Sequence, residues 1–361
     1  MKKKLIALVV GAAAVAPAMA MAADVTVYGR AHVSVDYLDD GADYSETNLS
    51  SNSSRLGFKG SHDVNPNLTA FFQIEQTINF SSGSSGETDL ATRDTFVGLK
   101  GDNWGAIQLG RFDSPFKKAR GPANLFGDQV GDMRNLIRVG EAKFDERYDN
   151  TLQYTTPSFG GFNLQLAYSD YKGQSVNIDN EDTDAFSMAL NYGSGPLAAS
   201  LAYETVEENN GGERDAIRAA AAYSVTDALK LVGFYQTTDF DGTNTTSRLV
   251  RDENSNKAYG LGGEYKLTDA TALKAMFMTL DSDASDADAD MWVVGVEHKL
   301  DKAVRVYANY ALVDNDDGRA LSPWVEGRSA NPRNQSLDDN GVNQALGEKA
   351  SAFSVGLRYD F

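Results

Sequence analysis

The sequence contains no cysteine, and among its 361 residues it has only 8 prolines and 3 histidines. The lack of cysteine excludes disulfides, thiolate metal ligands and thiol nucleophiles, so stability must come from packing and hydrogen bonding. The few histidines leave little material for acid–base catalysis. Basic residues are scarce relative to acidic ones, with 33 Lys and Arg against 51 Asp and Glu, which argues against binding to nucleic acid.

The first 22 residues resemble a processing signal rather than part of a fold. Lysines at positions 2–4 precede an apolar run over residues 5–15, and small residues lead up to Ala22, as in a cleaved secretory signal peptide. Cleavage there leaves residues 23–361 as one domain with 30 basic and 51 acidic residues, a formal charge of −21. No later run reaches the roughly 20 apolar residues of a membrane helix, so a membrane-crossing chain would cross as strands.

Side chains alternate between apolar and polar along most of the remaining chain. In the first segment, alternate residues from Val25 to Tyr37 are small, apolar or aromatic, whereas the intervening residues from Thr26 to Asp36 are mostly polar. Brief turns and long loops separate sixteen such segments, which start near residues 25, 53, 68, 93, 105, 149, 162, 184, 197, 214, 228, 257, 271, 290, 303 and 350. An even number allows antiparallel closure. The sequence therefore predicts an all-β, sixteen-stranded antiparallel transmembrane β-barrel in a Gram-negative outer membrane, with its short turns facing the periplasm.

The last strand has a distinctive ending. Phe353, Val355, Leu357, Tyr359 and the terminal Phe361 share one face, and polar residues or glycine fill the other. This tail resembles the one by which outer-membrane barrels are recognised for assembly. Tyr359 and Phe361 are therefore the predicted assembly signal, read by the barrel assembly machinery.

Several local segments carry a family resemblance that extends over residues 23–361. They are VTVYGR at 25–30, SRLGFKG at 54–60, FVGLK at 96–100, GAIQLGR at 105–111 and RYDN at 147–150. Together with Phe361 they make the chain similar to general bacterial porins of the trimeric, sixteen-stranded type. The resemblance implies a homotrimer among outer-membrane lipid and lipopolysaccharide, forming a channel for passive diffusion of ions and small hydrophilic solutes.

The resemblance also implies that a long segment, about residues 112–146, folds inward as a constriction loop. Its acids Asp113, Asp128 and Asp132 are the predicted loop side of the constriction. Strand parity places the opposing basic wall on the lumen face: Arg30, Arg55, Lys59, Arg93 and Arg147. Opposed charges across a narrow aqueous gap would create a transverse field that disfavours apolar solutes. The alternative is that these residues only pair locally and solvate the wall.

Arg111 has the opposite parity and is predicted to point outward. A charged group facing lipid costs on the order of 2 to 4 kcal/mol at the membrane midplane. Burial against a neighbouring barrel is cheaper, so Arg111 is a candidate residue of the trimer interface. The small outward residues Gly29 and Ala31 fit the same interface.

Other functions and sites remain as alternatives with less support. A substrate-specific channel would show a regular aromatic ladder, whereas only scattered lumen aromatics are identified: Tyr28, Phe71, Phe234 and Tyr307. A structural or adhesive barrel would conduct no ions. An enzyme would need a nucleophile and a base, and no such motif surrounds His32, His62 or His298.

Neither a cofactor nor a metal site is expected. The aspartate run from Asp281 to Asp290 lacks the glycine and closing glutamate of a calcium loop, so a solvated outer loop is favoured over divalent bridging to lipopolysaccharide. For ion preference, the net charge favours cations slightly, although the basic wall opposes it.

Overall fold

The computed structural model describes residues 24–81, 92–138, 144–171, 183–207, 213–241, 255–328 and 344–361. The predicted signal peptide and residues 139–143 of the predicted loop lie outside these ranges. The strands are β1 Asp24–Asp39, β2 Ser45–Ser51, β3 Arg55–Asn65, β4 Leu68–Thr77, β5 Thr95–Gly101, β6 Gly105–Asp113, β7 Arg147–Thr155, β8 Phe162–Tyr171, β9 Thr183–Ser194, β10 Leu197–Glu207, β11 Glu213–Ser224, β12 Leu229–Asp241, β13 Asn256–Lys266, β14 Thr271–Ser282, β15 Ala289–Lys299, β16 Val304–Asn315 and β17 Lys349–Asp360. Within the described residues, no helix is long and apolar enough to span a membrane.

The strands form one antiparallel sheet that closes where β1 pairs with β17. Both β2 and β3 pair with β1, one after the other, so they act as a single interrupted strand and the barrel has sixteen strand positions. This confirms the predicted barrel. The second position begins at Ser45 rather than near residue 53, because the polar sequence of β2 gives no alternation to detect.

Alternation along the strands separates two environments. Outward residues such as Val25, Val97 and Leu261 are 55%, 59% and 73% exposed on the isolated barrel. Inward neighbours such as Ser34 and Ala258 are almost completely buried. An apolar outer surface of this extent matches a hydrocarbon environment. Because only alternate residues of each strand face outward, the hydropathy averaged along the chain gives no membrane signal.

The segment after β6 contains short helices, α1 at Pro115–Ala119 and α2 at Arg134–Ile137, with a 3₁₀ turn at Gly121–Ala123 between them. Ser114 caps α1 by accepting a hydrogen bond from the backbone N–H of Lys117. Apolar residues of this segment form a core with inward side chains of β11–β17, including Phe126, Val130, Met133, Leu136, Ala220, Val232, Ala258, Met278, Met291, Val293, Ala311 and Val313. The segment therefore lies against the inner surface of that part of the barrel.

A second segment, residues 316–328, joins the same core. Trp324 is only 1% exposed and belongs to it. The backbone N–H of Gly131 donates to Pro323 O at 2.8 Å, and Arg328 forms an ion pair with Asp36 of β1. This packing is not among the predictions made from the sequence. The signal that could have indicated it is a tryptophan in a largely polar loop.

Candidate functional site

Four of the five predicted basic residues gather on one side of the lumen. Arg30 lies on β1, Arg55 begins β3, Arg93 precedes β5 and Arg147 begins β7. Arg30 and Arg55 are direct register partners. Lys59 lies four residues further along β3, about 13 Å closer to the short turns, so it stands apart from this group. The four arginines are called the basic cluster below.

Glu75 of β4 joins two members of the basic cluster. Its Oε1 lies 2.5 Å from Arg93 Nε and 3.5 Å from Arg55 Nη1. Tyr28 Oη donates a hydrogen bond to Glu75 Oε2 at 3.0 Å. Glu75 is not among the predicted site residues, although it shares the inward parity of Gln73 on the same strand.

Arg147 has two carboxylate partners. Its Nε lies 2.6 Å from Asp94 Oδ1 and its Nη2 lies 2.6 Å from Asp113 Oδ1. Lys117 Nζ of α1 is 3.0 Å from the same Asp113 oxygen. Asp113 therefore lies beside the basic cluster rather than across from it.

Asp128 connects the loop to the basic cluster. Its Oδ1 lies 2.8 Å from Arg134 Nη2 and its Oδ2 lies 3.4 Å from Arg30 Nη1. Burial alone would raise the pKa of Asp128, but the guanidinium groups of Arg134, Arg55 and Arg30 outweigh burial and hold this pKa below its ordinary value. Asp132 is fully buried and accepts hydrogen bonds from Asp128 N at 2.7 Å and from Arg134. Asp132 thus holds the loop, whereas Asp128 faces the cluster.

The loop is attached to the opposite wall through a buried ion pair. Arg218 of β11 pairs with Asp145, and its Nη1 also donates to Phe116 O at 2.9 Å. Arg120 Nη1 lies 3.1 Å from the other carboxylate oxygen of Asp145. Burial opposes ionisation of Asp145, but Arg218, Arg120 and Lys117 together lower its pKa to about 2.

Cations outnumber carboxylates in these contacts. The carboxylates are Glu75, Asp94, Asp113, Asp128, Asp132, Asp145 and Asp360, and their partners are Arg30, Arg55, Arg93, Lys117, Arg120, Arg134, Arg147, Arg218, Arg305 and Arg358. Most of these carboxylates each contact two or more cations. The surplus of positive charge lies on the barrel wall, because the cations that the loop supplies, Lys117, Arg120 and Arg134, are matched by the loop's own carboxylates.

Arg111 lies on the outer face of β6, as its parity predicts. It forms an ion pair with Asp149 of β7, and both side chains are partly exposed. This intramolecular partner neutralises the charge without covering it, so a polar pair remains on an otherwise apolar surface.

The chain terminus closes the barrel. Phe361 exchanges backbone hydrogen bonds with Gly29 of β1 at 2.8 and 3.0 Å. The rings of Tyr359 and Phe361 lie 5.5 Å apart and are exposed on the outside, whereas Asp360 points inward and its Oδ1 lies 2.8 Å from Arg30 Nε.

The family model and the relatives that match this chain include several proteins described as porins. A family model described as Gram-negative porin matches residues 7–318. The Outer membrane porin protein 32 of Delftia acidovorans is 31% identical over the full length of both chains. The structure of an anion-selective porin from Comamonas acidovorans superposes with a TM-score of 0.76 and 26% identity, covering 94% of this chain and all of the other. The trimer form of OmpT from Vibrio cholerae shares the fold at 17% identity, with a TM-score of 0.66 over 94% of this chain and all of the other.

Proposed function

The chain belongs to the Gram-negative porin family, and from that premise we propose how its residues control passage. Membership confirms the resemblance drawn from the sequence. The protein is an outer-membrane porin, a channel for passive diffusion of ions and small hydrophilic solutes. Family and fold favour a channel over an enzyme. His32, one of the three histidines, is buried, and its Nε2 lies 3.0 Å from Tyr307 Oη.

We infer that residues 112–146 form the constriction loop and that solutes pass between it and the basic cluster. The contact between Asp128 and Arg30 sets one edge of this passage. Asp113 and Asp128 would contribute its acidic groups, while Asp132 would act by holding the loop in position. Polar and charged groups on both sides would favour hydrated solutes over apolar ones.

The constriction would favour anions. The observation that carries this proposal is the surplus of arginines over carboxylates on the barrel wall at and beside the basic cluster, the wall that would line the passage. The negative net charge is spread over the whole chain, and screening limits the reach of distant charges to about 8 Å at physiological ionic strength. A relative named as an anion-selective porin adds support. This reverses the slight cation preference expected from net charge alone.

Reversal potentials under a potassium chloride gradient test the proposal. The reversal potential of wild-type channels in a planar bilayer should have the sign that preferential chloride permeation produces. The double variant Arg55→Ala with Arg93→Ala should move this potential toward cation permeation. Glu75→Gln should move it further toward anions, and Lys302→Met, at an exposed short turn, should leave it unchanged. A wild-type cation preference, or potentials that do not respond to either set of changes, would contradict it.

We propose a homotrimer whose interface includes Arg111. A polar pair on an apolar face is costly in lipid and is better placed against another barrel. Arg111→Leu should therefore lower the temperature at which detergent-solubilised trimers dissociate. Lys349→Leu is the matched control, because Lys349 pairs with Asp314 at 2.6 Å on the exposed rim. A monomeric wild-type protein in mild detergent, or equal effects of the two substitutions, would refute this interface.

The remaining proposals concern biogenesis and surroundings. Residues 1–22 would be removed as a signal peptide, and the outward rings of Tyr359 and Phe361 would be read by the barrel assembly machinery. The apolar outer surface would contact lipid and lipopolysaccharide. A carboxy-terminal Phe361→Ser variant should reach the outer membrane in reduced amounts, as measured by fractionation.

A further inference from the structure

We propose that the lumen wall on the short-turn side of the basic cluster binds aromatic carboxylates. The ring of the ligand would lie on Phe71 and Phe96, and its carboxylate would lie between Lys59 and Lys100. This site is separate from the proposed constriction, and it would select among the anions that the channel admits.

Strand register brings the components together. Thr26, Lys59, Gln73 and Phe96 are consecutive register partners across β1, β3, β4 and β5. In the next inward row toward the short turns, Ser61, Phe71 and Gly98 are partners. Lys100 follows two residues after Gly98 on the same face. The side chains therefore form one patch that is three inward rows deep.

The two rings are presented rather than packed away. Phe71 and Phe96 have centroids 6.1 Å apart in an edge-to-face arrangement, and both remain partly exposed. A Cβ added at Gly98 would overlap the Phe71 ring, so glycine is what allows this ring to lie flat against the wall. Apolar ring surface exposed in an aqueous lumen gains free energy when a planar apolar group covers it.

A third ring continues the row toward the constriction. Phe96 and Phe112 have centroids 5.7 Å apart, and Phe112 is fully buried. Lys118 Nζ lies 5.6 Å from the Phe112 centroid, at the loop end of the row. Phe71 is one of the scattered lumen aromatics predicted from the sequence, whereas Phe96 and Phe112 were not predicted, although both have inward parity.

The lysines at this patch differ from the arginines of the basic cluster. Lys59 and Lys100 are exposed, and across the described ranges neither forms an ion pair with a carboxylate. Lys59 Nζ instead lies 5.0 Å from the centroid of the Tyr28 ring. Their charge is therefore available to an incoming anion, whereas the arginine charges are shared with Glu75, Asp94 and other acids.

A cavity of the appropriate size lies at this patch. Its volume is about 460 Å³, and its lining includes Lys59, Phe71, Phe96 and Lys100. Thr26, Ser61 and Gln73 also line it and supply hydroxyl and amide donors for carboxylate oxygens. The combination of ring faces, two free ammonium groups and neutral donors matches an aromatic carboxylate better than a sugar or an aliphatic acid.

Benzoate is the probe, with acetate and benzamide as partial analogues. Chloride current through wild-type channels is first measured without any probe, which checks the proposed channel independently. Benzoate should then reduce that current saturably, with a half-blocking concentration on the order of millimolar, as expected for a small weak ligand. Acetate lacks the ring and benzamide lacks the charge, so each should require a several-fold higher concentration.

Conservative variants assign the effect to the patch. Phe71→Leu with Phe96→Leu retains apolar bulk and should raise the half-blocking benzoate concentration about threefold or more. Lys59→Met with Lys100→Met should raise it by a larger factor. Lys302→Met removes a charge outside the patch and should leave it unchanged. Normal chloride conductance combined with equal block by acetate and benzoate, or with unaltered benzoate block in both double variants, would overturn the proposal.

Discussion

Inward side chains face opposite environments on the two sides of this barrel. On β1 to β7 they include Arg30, Arg55 and Arg147, which contact charged partners and remain partly exposed. On β11 to β17 they are mainly alanine, valine and methionine, covered by residues 112–138 and 316–328. Inward parity alone therefore does not define a pore lining. Whether a loop covers the wall decides between lining and core.

The difference has a physical cause in the sequence. Strands such as β14 and β15 are apolar on both faces, as in Met276, Phe277 and Met278 or Val293 and Val294. An uncovered apolar lumen wall would face water, so packing the loop against it is favourable. The loop then leaves the charged wall as the surface available for solutes.

The largest expected effect concerns the buried pair that attaches the loop to the covered side. Arg218→Met leaves the buried carboxylate of Asp145 with fewer partners and should lower the free energy of unfolding by roughly 3 to 5 kcal/mol. Adding Asp145→Asn should recover part of this loss. Arg55→Met on the charged side should cost about 1 kcal/mol or less, because the Arg55 side chain is partly exposed and Glu75 keeps its closer partner Arg93. Denaturant titration in detergent measures the free energy of unfolding of all three variants. Equal losses for Arg218→Met and Arg55→Met would contradict the difference between the two sides.

Truncation of an inward side chain should also destabilise the protein more on the covered side than on the charged side. Met278 is fully buried on β14, and Met278→Ala should lower the free energy of unfolding by about 2 to 5 kcal/mol through lost burial and a cavity. Thr26 has the same inward parity on β1 but is exposed, so Thr26→Ala should change it by no more than about 0.5 kcal/mol. Similar values for the two variants would show that the covered side is not a packed core.

Acid should weaken the attachment of the loop by a smaller amount. The pKa of Asp145 is lowered to about 2 in the folded protein, against an ordinary value of about 3.9. The stabilisation from this carboxylate is therefore complete above about pH 4 and is lost as the pH falls through about 2. The loss is roughly 2 to 3 kcal/mol, and it should show as a rise in conductance fluctuations below pH 4. The Asp145→Asn variant should lack this step, and an unchanged step in that variant would assign it to another group.

Much of the barrel could be predicted because its strands alternate between two environments. Starts such as Gly105, Phe162 and Leu197 coincide with the predicted segments. The polar β2 could not be found, since Ser45–Ser51 carries no apolar alternation, although it pairs with the adjacent β1 across residues 40–44.

The site was less accessible to prediction. Parity identified Arg30, Arg55, Arg93 and Arg147 as inward, but it could not show which carboxylates neutralise them. The pairing of Asp113 with Arg147 and the burial of Asp132 depend on how the loop folds back. That path is set by contacts between residues far apart in sequence, such as Gly131 with Pro323.

Thiol accessibility tests the division between the two sides most directly, since the native chain has no cysteine. The single substitutions Thr26→Cys and Met278→Cys each introduce one thiol, at inward positions on opposite sides of the barrel. A small charged methanethiosulfonate added to conducting channels should modify Thr26→Cys rapidly and change its current, and should leave Met278→Cys unmodified. Equal rates at the two positions, or no reaction at Thr26→Cys, would contradict the account.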